Sequence, residues 1–307
     1  MKISIILPTF NRSAILKNTI SNIQNQTFEN YELIVINDAS TDDTAIIIEN
    51  FKKQDSRIIN INNAHNLGCA QSREIGVQHS NHELIVFMDD DDHWDNQKLM
   101  KQYDAITHNN SNMVISDYYI LKNENKIYQK MDKFVQNFKN EILKRPGPFF
   151  QCIMLKKELI TSINNPFDTN SIPSEDWNFF IELSKLKLTI TITHINEPLF
   201  TWSIHNENQS LNLDKEAKAL EYIVTKHNNY IQSEHNQIIL AEHYRRIARV
   251  YEKNKNWEEI KKYYTKAFKV NPKSIKNIFY YLAVSIGYRY VRSIINLIRK
   301  IRGVPNA

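Results

Sequence analysis

The sequence predicts an α/β domain on a mostly parallel sheet, flanked by helices and followed by a helical C-terminal region. Three observations carry this. Short β-branched runs alternate with helical periodicities over the first hundred residues. Each of the first four runs ends in a polar or acidic cluster. The last ninety residues keep helical spacing throughout.

Ile3–Leu7 is a short β-branched run stopped by Pro8, the signature of a buried strand. In Ser13–Gln26, Ile15, Leu16, Ile20 and Ile23 recur at helical spacing. Tyr31–Ile36 reads as the second strand and Ala45–Phe51 as a helix, with Ser40 and Asp43 placed as a capping box. Ile58–Ile61 is the third strand, Cys69–Gln78 a helix and Leu84–Met88 the fourth strand. Asp95 is placed to cap a helix running to about Thr107. The region from Met113 to Leu211 is less regular.

The chain has 307 residues, 42% hydrophobic and 24% charged, a globular composition. Its length suits one large core plus an appendage: 1–212 as the α/β domain, with halves 1–112 and 113–212, and 213–307 as the helical region. Cys69 and Cys152 stand far apart outside any motif, which excludes a disulfide framework and a zinc-type spacing and fits a reducing compartment. The first apolar run is too short for a signal peptide, and no run reaches the ~18 residues of a spanning helix. A cytoplasmic location is expected, with no nucleic-acid partner. Charge is uneven: from Ala241 onward there are 16 Lys/Arg against 4 Asp/Glu, and before it 23 against 30. A basic tail of this kind can meet an anionic surface.

Ligands of parallel sheets bind at the carboxyl ends of the strands. Asp89–Asp92 follow the fourth strand directly. Neighbouring carboxylates at ~4 Å repel by ~1 kcal/mol per pair in water, and by more near a core. A hard divalent cation, Mg²⁺ or Mn²⁺, removes that repulsion. The plainer reading is a helix-capping loop, which needs only one such carboxylate. Asp38 follows the second strand and can accept from a base or ribose; equally it can be a turn residue. Asn66, Gly68 and Arg73 sit where the next helix begins, so Arg73 can reach a diphosphate or lie on the surface. Glu175 and Asp176 follow Ser174, an arrangement that a helix N-terminus explains by itself.

Together these segments resemble the family 2 glycosyltransferases. The resemblance rests on Pro8-Thr9-Phe10-Asn11-Arg12, Ile34 to Asp42, Asn66-Leu67-Gly68 with Arg73, Phe87 to Asp92, and Glu175-Asp176-Trp177, in order over residues 1 to about 210. It implies a GT-A fold, a Rossmann-like nucleotide-binding sheet, and inverting transfer from a nucleotide-sugar donor. By this resemblance Pro8, Thr9, Phe10 and Asn11 line the nucleoside, and Asp38 reads the base, usually uracil. Asn66 and Arg73 lie near the diphosphate. Asp89 and Asp90 belong to the donor site, Asp91 holds Mn²⁺ or Mg²⁺, and Asp176 is the general base with Glu175 beside it. Many relatives carry Tyr-Arg-x-His near the end of this domain. Here the segment is Trp202-Ser203-Ile204-His205, lacking the arginine. His205 then either closes over the diphosphate or is an exposed loop histidine.

The expected acceptor is a glycan or lipid-linked saccharide of bacterial surface polysaccharide synthesis. Ala241 to Pro272 loosely resembles one tetratricopeptide-type hairpin, carried by Ala248, Tyr251, Trp257, Tyr264, Ala267 and Pro272. In residues 288–302, Val291, Ile294, Ile295, Ile298 and Ile301 keep helical spacing between basic residues. This segment can lie on the cytoplasmic face of the inner membrane, or pack on the protein with a solvated basic face. The alternatives are a non-catalytic scaffold with a degenerate transferase domain, or a sugar nucleotidyltransferase. The latter wants a Gly-rich phosphate loop, and the chain has five glycines in all.

Overall fold

The computed structural model describes residues 2–203 and 212–287, apart from the side chains of 234–236. His205 and the segment 288–302 lie outside the described residues. The chain forms two compact units, residues 1–208 and 209–307.

The first unit is built on one sheet. Its strands are β1 (Ile3–Thr9), β2 (Tyr31–Asn37), β3 (Ile58–Asn62), β4 (Leu84–Phe87), β5 (His93–Trp94), β6 (Met113–Lys122), β7 (Asn125–Gln129), β8 (Ile153–Lys156) and β9 (Ile192–Ser203). The order is β3-β2-β1-β4-β8-β6-β9-β5, with β7 hairpinned onto β6. Strands β1 to β4 are mutually parallel; β8 runs antiparallel between β4 and β6, and β9 is parallel to β6. All seven residues of β1 and of β2 are buried. That is why these strands read as continuous apolar runs rather than alternating ones: helices cover both faces.

The helices earn their places by period. In α1 (Ser13–Gln24), Leu16, Ile20 and Ile23 form the buried stripe. Helix α2 is Thr44–Gln54, starting without a side-chain cap from Asp43. Helix α3 (Cys69–His79) packs so close to the sheet that a Cβ on Gly76 would sit 2.5 Å from Ile6 Cγ2 and 2.9 Å from Ile36 Cδ1. Helix α4 is Lys98–His108; α5 (Asp132–Gln136), α6 (Phe138–Lys144) and α7 (Lys157–Thr161) are short. Helix α8 (Glu175–Lys185) buries Trp177, Phe179, Phe180, Ile181 and Leu183. It is an interior helix, with Trp177 Nε1 donating to the Ile142 carbonyl at 2.7 Å. Phe87, Phe150, Phe167 and Phe179 pack around one another at centroid distances of 5.0–6.1 Å beneath the carboxyl edge of β4.

The second unit holds α9 (Leu213–Lys226), α10 (Asn228–Lys253), α11 (Trp257–Val270) and α12 (Ile275–Ile286). Asn256 caps α11 by accepting from the Glu259 amide. Tyr264 stacks on Tyr280 at 4.4 Å, and Asn277, fully buried, ties α12 to the end of α11 through the Ala267 and Asn271 carbonyls. Among the described residues no helix is long and apolar enough to cross a membrane.

Candidate active site

In the first unit the strand order reverses at β1, with β2 on one side and β4 on the other. Such a switch point opens a crevice at the carboxyl ends. The loops after β1 and β4 meet there: Thr9 Oγ1 donates to Asp90 Oδ2 at 2.8 Å, and Arg12 pairs with Asp90 at 3.4 Å. From α1, Thr19 Oγ1 donates to the Asp90 carbonyl at 2.6 Å.

Arg73, in the second turn of α3, is the centre of the site. Its guanidinium donates to Asp89 Oδ1 at 2.6 Å and to Glu175 Oε1 at 2.8 Å. It lies over the Phe150 ring at 5.2 Å and is only 4% exposed. Burial works against its charge, but Asp89 and Glu175 outweigh that and hold it protonated. Cys69, one turn earlier, has its thiol pushed up to about 12 by burial beside the same carboxylates. Gln151 donates to the other oxygen of Asp89. One residue therefore ties the acidic loop after β4 to the start of α8.

The acidic loop is heavily desolvated. Burial, then Asp91 and Asp89, push Asp90 up to about 7, although Thr9 and Arg12 oppose the rise. Burial and the same neighbours push Asp92 well above the usual range, against a hydrogen bond from the Ser203 amide. Among the described residues, Asp92 Oδ1 is buried without a hydrogen-bond partner. A cluster of crowded, desolvated carboxylates of this kind fits a hard divalent cation. Among the described residues, no three His, Cys, Asp or Glu side chains converge as an all-protein cage.

Asp38 is buried and holds the loop between β3 and α3. Its carboxylate accepts from the Leu67 and Gly68 amides at 2.8 Å each and from Asn63 Nδ2 at 2.7 Å. Gly68, at φ 84, takes a conformation that side chains resist. Asn66 is exposed beside these anchored amides. Across the crevice, Asn11 is bound to the loop after β2: its amide donates to Ser40 Oγ at 3.0 Å and its Oδ1 accepts from the Thr41 amide at 2.8 Å. Pro8 is buried in β1, while Phe10 is 42% exposed.

Asp176 sits in the first turn of α8, with part of its surface open. Desolvation and the adjacent Glu175 push it up to about 8, against the Trp177 amide and Arg73. Ser174, placed by sequence as the cap of this helix, makes no side-chain capping bond. The structure thus joins Arg73, Asp89 and Glu175 directly, sets Asp176 within their field, and joins Thr9 to Asp90. Asp91 is half-buried in the same loop.

Sequence reasoning missed Gln151, Asn63 and the sulfur of Cys69, none of which sits in a recognisable motif. It also missed Asp117, which is fully buried and accepts from the Met131 amide at 2.7 Å, from Tyr128 at 2.5 Å, and contacts His194 Nε2 at 2.8 Å.

The chain has known relatives. Residues 4–163 match the Glycosyl transferase family 2 domain. The UDP-Glc:alpha-D-GlcNAc-diphosphoundecaprenol beta-1,3-glucosyltransferase WfgD of Escherichia coli is 30% identical over 186 residues, covering 60% of this chain and 70% of that one. Among solved structures, residues 1–349 of S. aureus TarS with UDP-GlcNAc match at TM-score 0.69 and 16% identity, over 94% of this chain and 92% of that one. The mannosyltransferase PcManGT of Pyrobaculum calidifontis, in complex with GDP-Man and Mn2+, matches at TM-score 0.55 and 13% identity, over 92% and 86%. Fold and site thus define an enzyme of the hexosyltransferase class on a GT-A fold. The chain belongs to glycosyltransferase family 2.

Proposed function

We propose that the enzyme moves a sugar from a nucleoside-diphosphate sugar, a UDP-sugar by resemblance, to a hydroxyl of a glycan or lipid-linked oligosaccharide, with inversion. The observation that carries this reading is the bridge from Asp89 through Arg73 to Glu175, with Asp176 beside it. It supports one reaction centre between the acidic loop and the start of α8. WfgD, whose name specifies a UDP-Glc donor and a diphosphoundecaprenol-linked acceptor, supports the substrate classes.

In this reading Pro8, Thr9, Phe10 and Asn11 line the nucleoside, and Asp38 meets the base while fixing the loop that carries Asn66. Asp91 is the residue that would hold Mn²⁺ or Mg²⁺, with Asp89 and Asp90 beside the donor. Bound there, the cation would offset negative charge on the departing nucleoside diphosphate. Arg73 orients Asp89 and Glu175. Asp176 takes the proton from the acceptor hydroxyl as its oxygen attacks the anomeric carbon opposite the leaving group. One displacement of this kind inverts the centre, and no covalent nucleophile is needed. His205, from outside the described residues, would close over the diphosphate.

Peripheral membrane contact through residues 288–302 belongs to the same reading. On α12, Ile275, Phe279, Leu282 and Ile286 are 84%, 46%, 50% and 77% exposed, an apolar stripe just before that basic segment. Removing residues 288–307 should abolish sedimentation with anionic liposomes; unchanged sedimentation would rule the contact out. The transferase reading itself is tested by screening nucleotide sugars for Mn²⁺-dependent release of nucleotide. The expected result is turnover of a UDP-sugar that stops on chelation. Failure to turn over any of them, or turnover indifferent to chelation, would overturn this reading of the donor and metal.

A further inference from the structure

An aromatic wall stands beside the acidic loop, and no role described so far uses it. Tyr118 of β6 and Phe200 of β9 are register partners whose rings stack at 5.0 Å and 13°. Two residues along, Trp202 points to the same face of the sheet. Phe149 closes the group: its ring meets Tyr118 edge-on at 5.4 Å and Trp202 at 5.4 Å. Tyr118 and Phe200 are buried, whereas Phe149 and Trp202 keep exposed surface. The wall is thus a rigid base of two rings carrying two partly open ones.

Its position is fixed from both sides. Ser203, next to Trp202, donates its amide to Asp92, and Thr201 pairs with His93, so the wall borders the acidic loop. Burial, then Cys152 and Asp176, raise the Tyr118 hydroxyl, so Asp176 lies within range of the wall's base. Phe149, Phe150 and Gln151 are consecutive, and they reach the wall, the Arg73 guanidinium and Asp89 in turn. The wall thus adjoins both the acidic loop and the surroundings of Asp176, the two groups of the proposed reaction.

We infer that Trp202 and Phe149 form the acceptor subsite, on which a pyranose ring lays its C–H face. This rests on the transferase reading and adds the chemical class of the acceptor's terminal unit: a sugar ring with axial C–H bonds on one side, rather than a bare lipid phosphate or a peptide hydroxyl. Aromatic rings suit this use because their faces are electron-rich and few torsions are lost on contact.

The test is saturation-transfer NMR on the full chain with UDP, Mg²⁺ and octyl pyranosides of glucose, galactose, N-acetylglucosamine and N-acetylgalactosamine. At least one should receive saturation at its ring C–H protons. Trp202→Ala should weaken that binding about fivefold to tenfold, with Trp202→Phe in between. Phe149→Ala serves as an independent variant should Trp202→Ala not fold. Signal that persists unchanged in Trp202→Ala, or in Phe149→Ala where that variant stands in, overturns the subsite, as does the absence of signal from every pyranoside while UDP binds. UDP is read in the same samples, and its failure to bind would sink the transferase reading instead.

Discussion

Arg73 meets Glu175 at 2.8 Å across 102 residues of sequence, and the same guanidinium holds Asp89. Two carboxylates, one on the loop after β4 and one at the start of α8, are thereby fixed by one buried cation. Arg73→Ala would leave both without it, and the removal of one partner from a buried ion pair costs about 3–5 kcal/mol. Asp89 keeps 33% of its side chain exposed, so the lower end applies. Chemical denaturation of Arg73→Ala, Glu175→Gln and the double variant gives the coupling. Additive losses would show that the two residues act separately.

Asp176 supplies the pH dependence. Its carboxyl is raised to about 8, so at neutral pH most of it is protonated and unable to accept a proton. Turnover over Km should therefore rise with unit slope towards a plateau above about pH 8. A raised carboxyl binds more protons folded than unfolded between its two pKa values, so it lowers stability as pH rises through that window. Asp176→Asn should then be inactive yet melt a few degrees higher near pH 8, with the gain vanishing near about pH 4. A variant that melts lower throughout would contradict this.

Asp38 holds a loop in place in addition to its proposed role at the nucleotide. Asp38→Ala strips acceptors from the Leu67 and Gly68 amides, at about 1–3 kcal/mol for the donors left unpaired. Hydrogen exchange should accelerate at those two amides, and UDP should bind more weakly. Weakened binding with unchanged exchange would assign Asp38 to the base alone.

Gly76 tests the packing of α3 on the sheet. Gly76→Ala places a methyl group against Ile6 and Ile36, which overpacks the core by about 1–3 kcal/mol. Thermal melting should fall while UDP affinity in the folded protein is kept.

Strands β1, β2 and β4 were legible because each is an apolar run buried on both faces, and β3 because Ile58, Ile59 and Ile61 mark it although only Ile58 is buried. Gly68 was legible as the hinge of a tight loop, since its positive φ needs glycine. Strand β5 was not: His93 and Trp94 are a strand only because Thr201 and Phe200 lie alongside. Gln151 was invisible for a similar reason. Nothing around it has a period, and its contact with Asp89 spans 62 residues. Arg73 was legible as a basic residue of the site, expected near a diphosphate; its two carboxylate partners, which make it the joint between loops, were not. Asp38 was read as a side chain facing a ligand, and its backbone partners leave no signature in residue types.

In the proposed reaction the loop of Asp89–Asp92 binds a nucleoside diphosphate together with a divalent cation. Calorimetric titration of UDP with and without Mn²⁺, into the wild-type chain and Asp91→Ala, measures this directly. Tight binding is expected to the wild type only with Mn²⁺, with that metal dependence lost in the variant. Equal affinity with and without Mn²⁺ in the wild type, or a variant as metal-responsive as its parent, would contradict it.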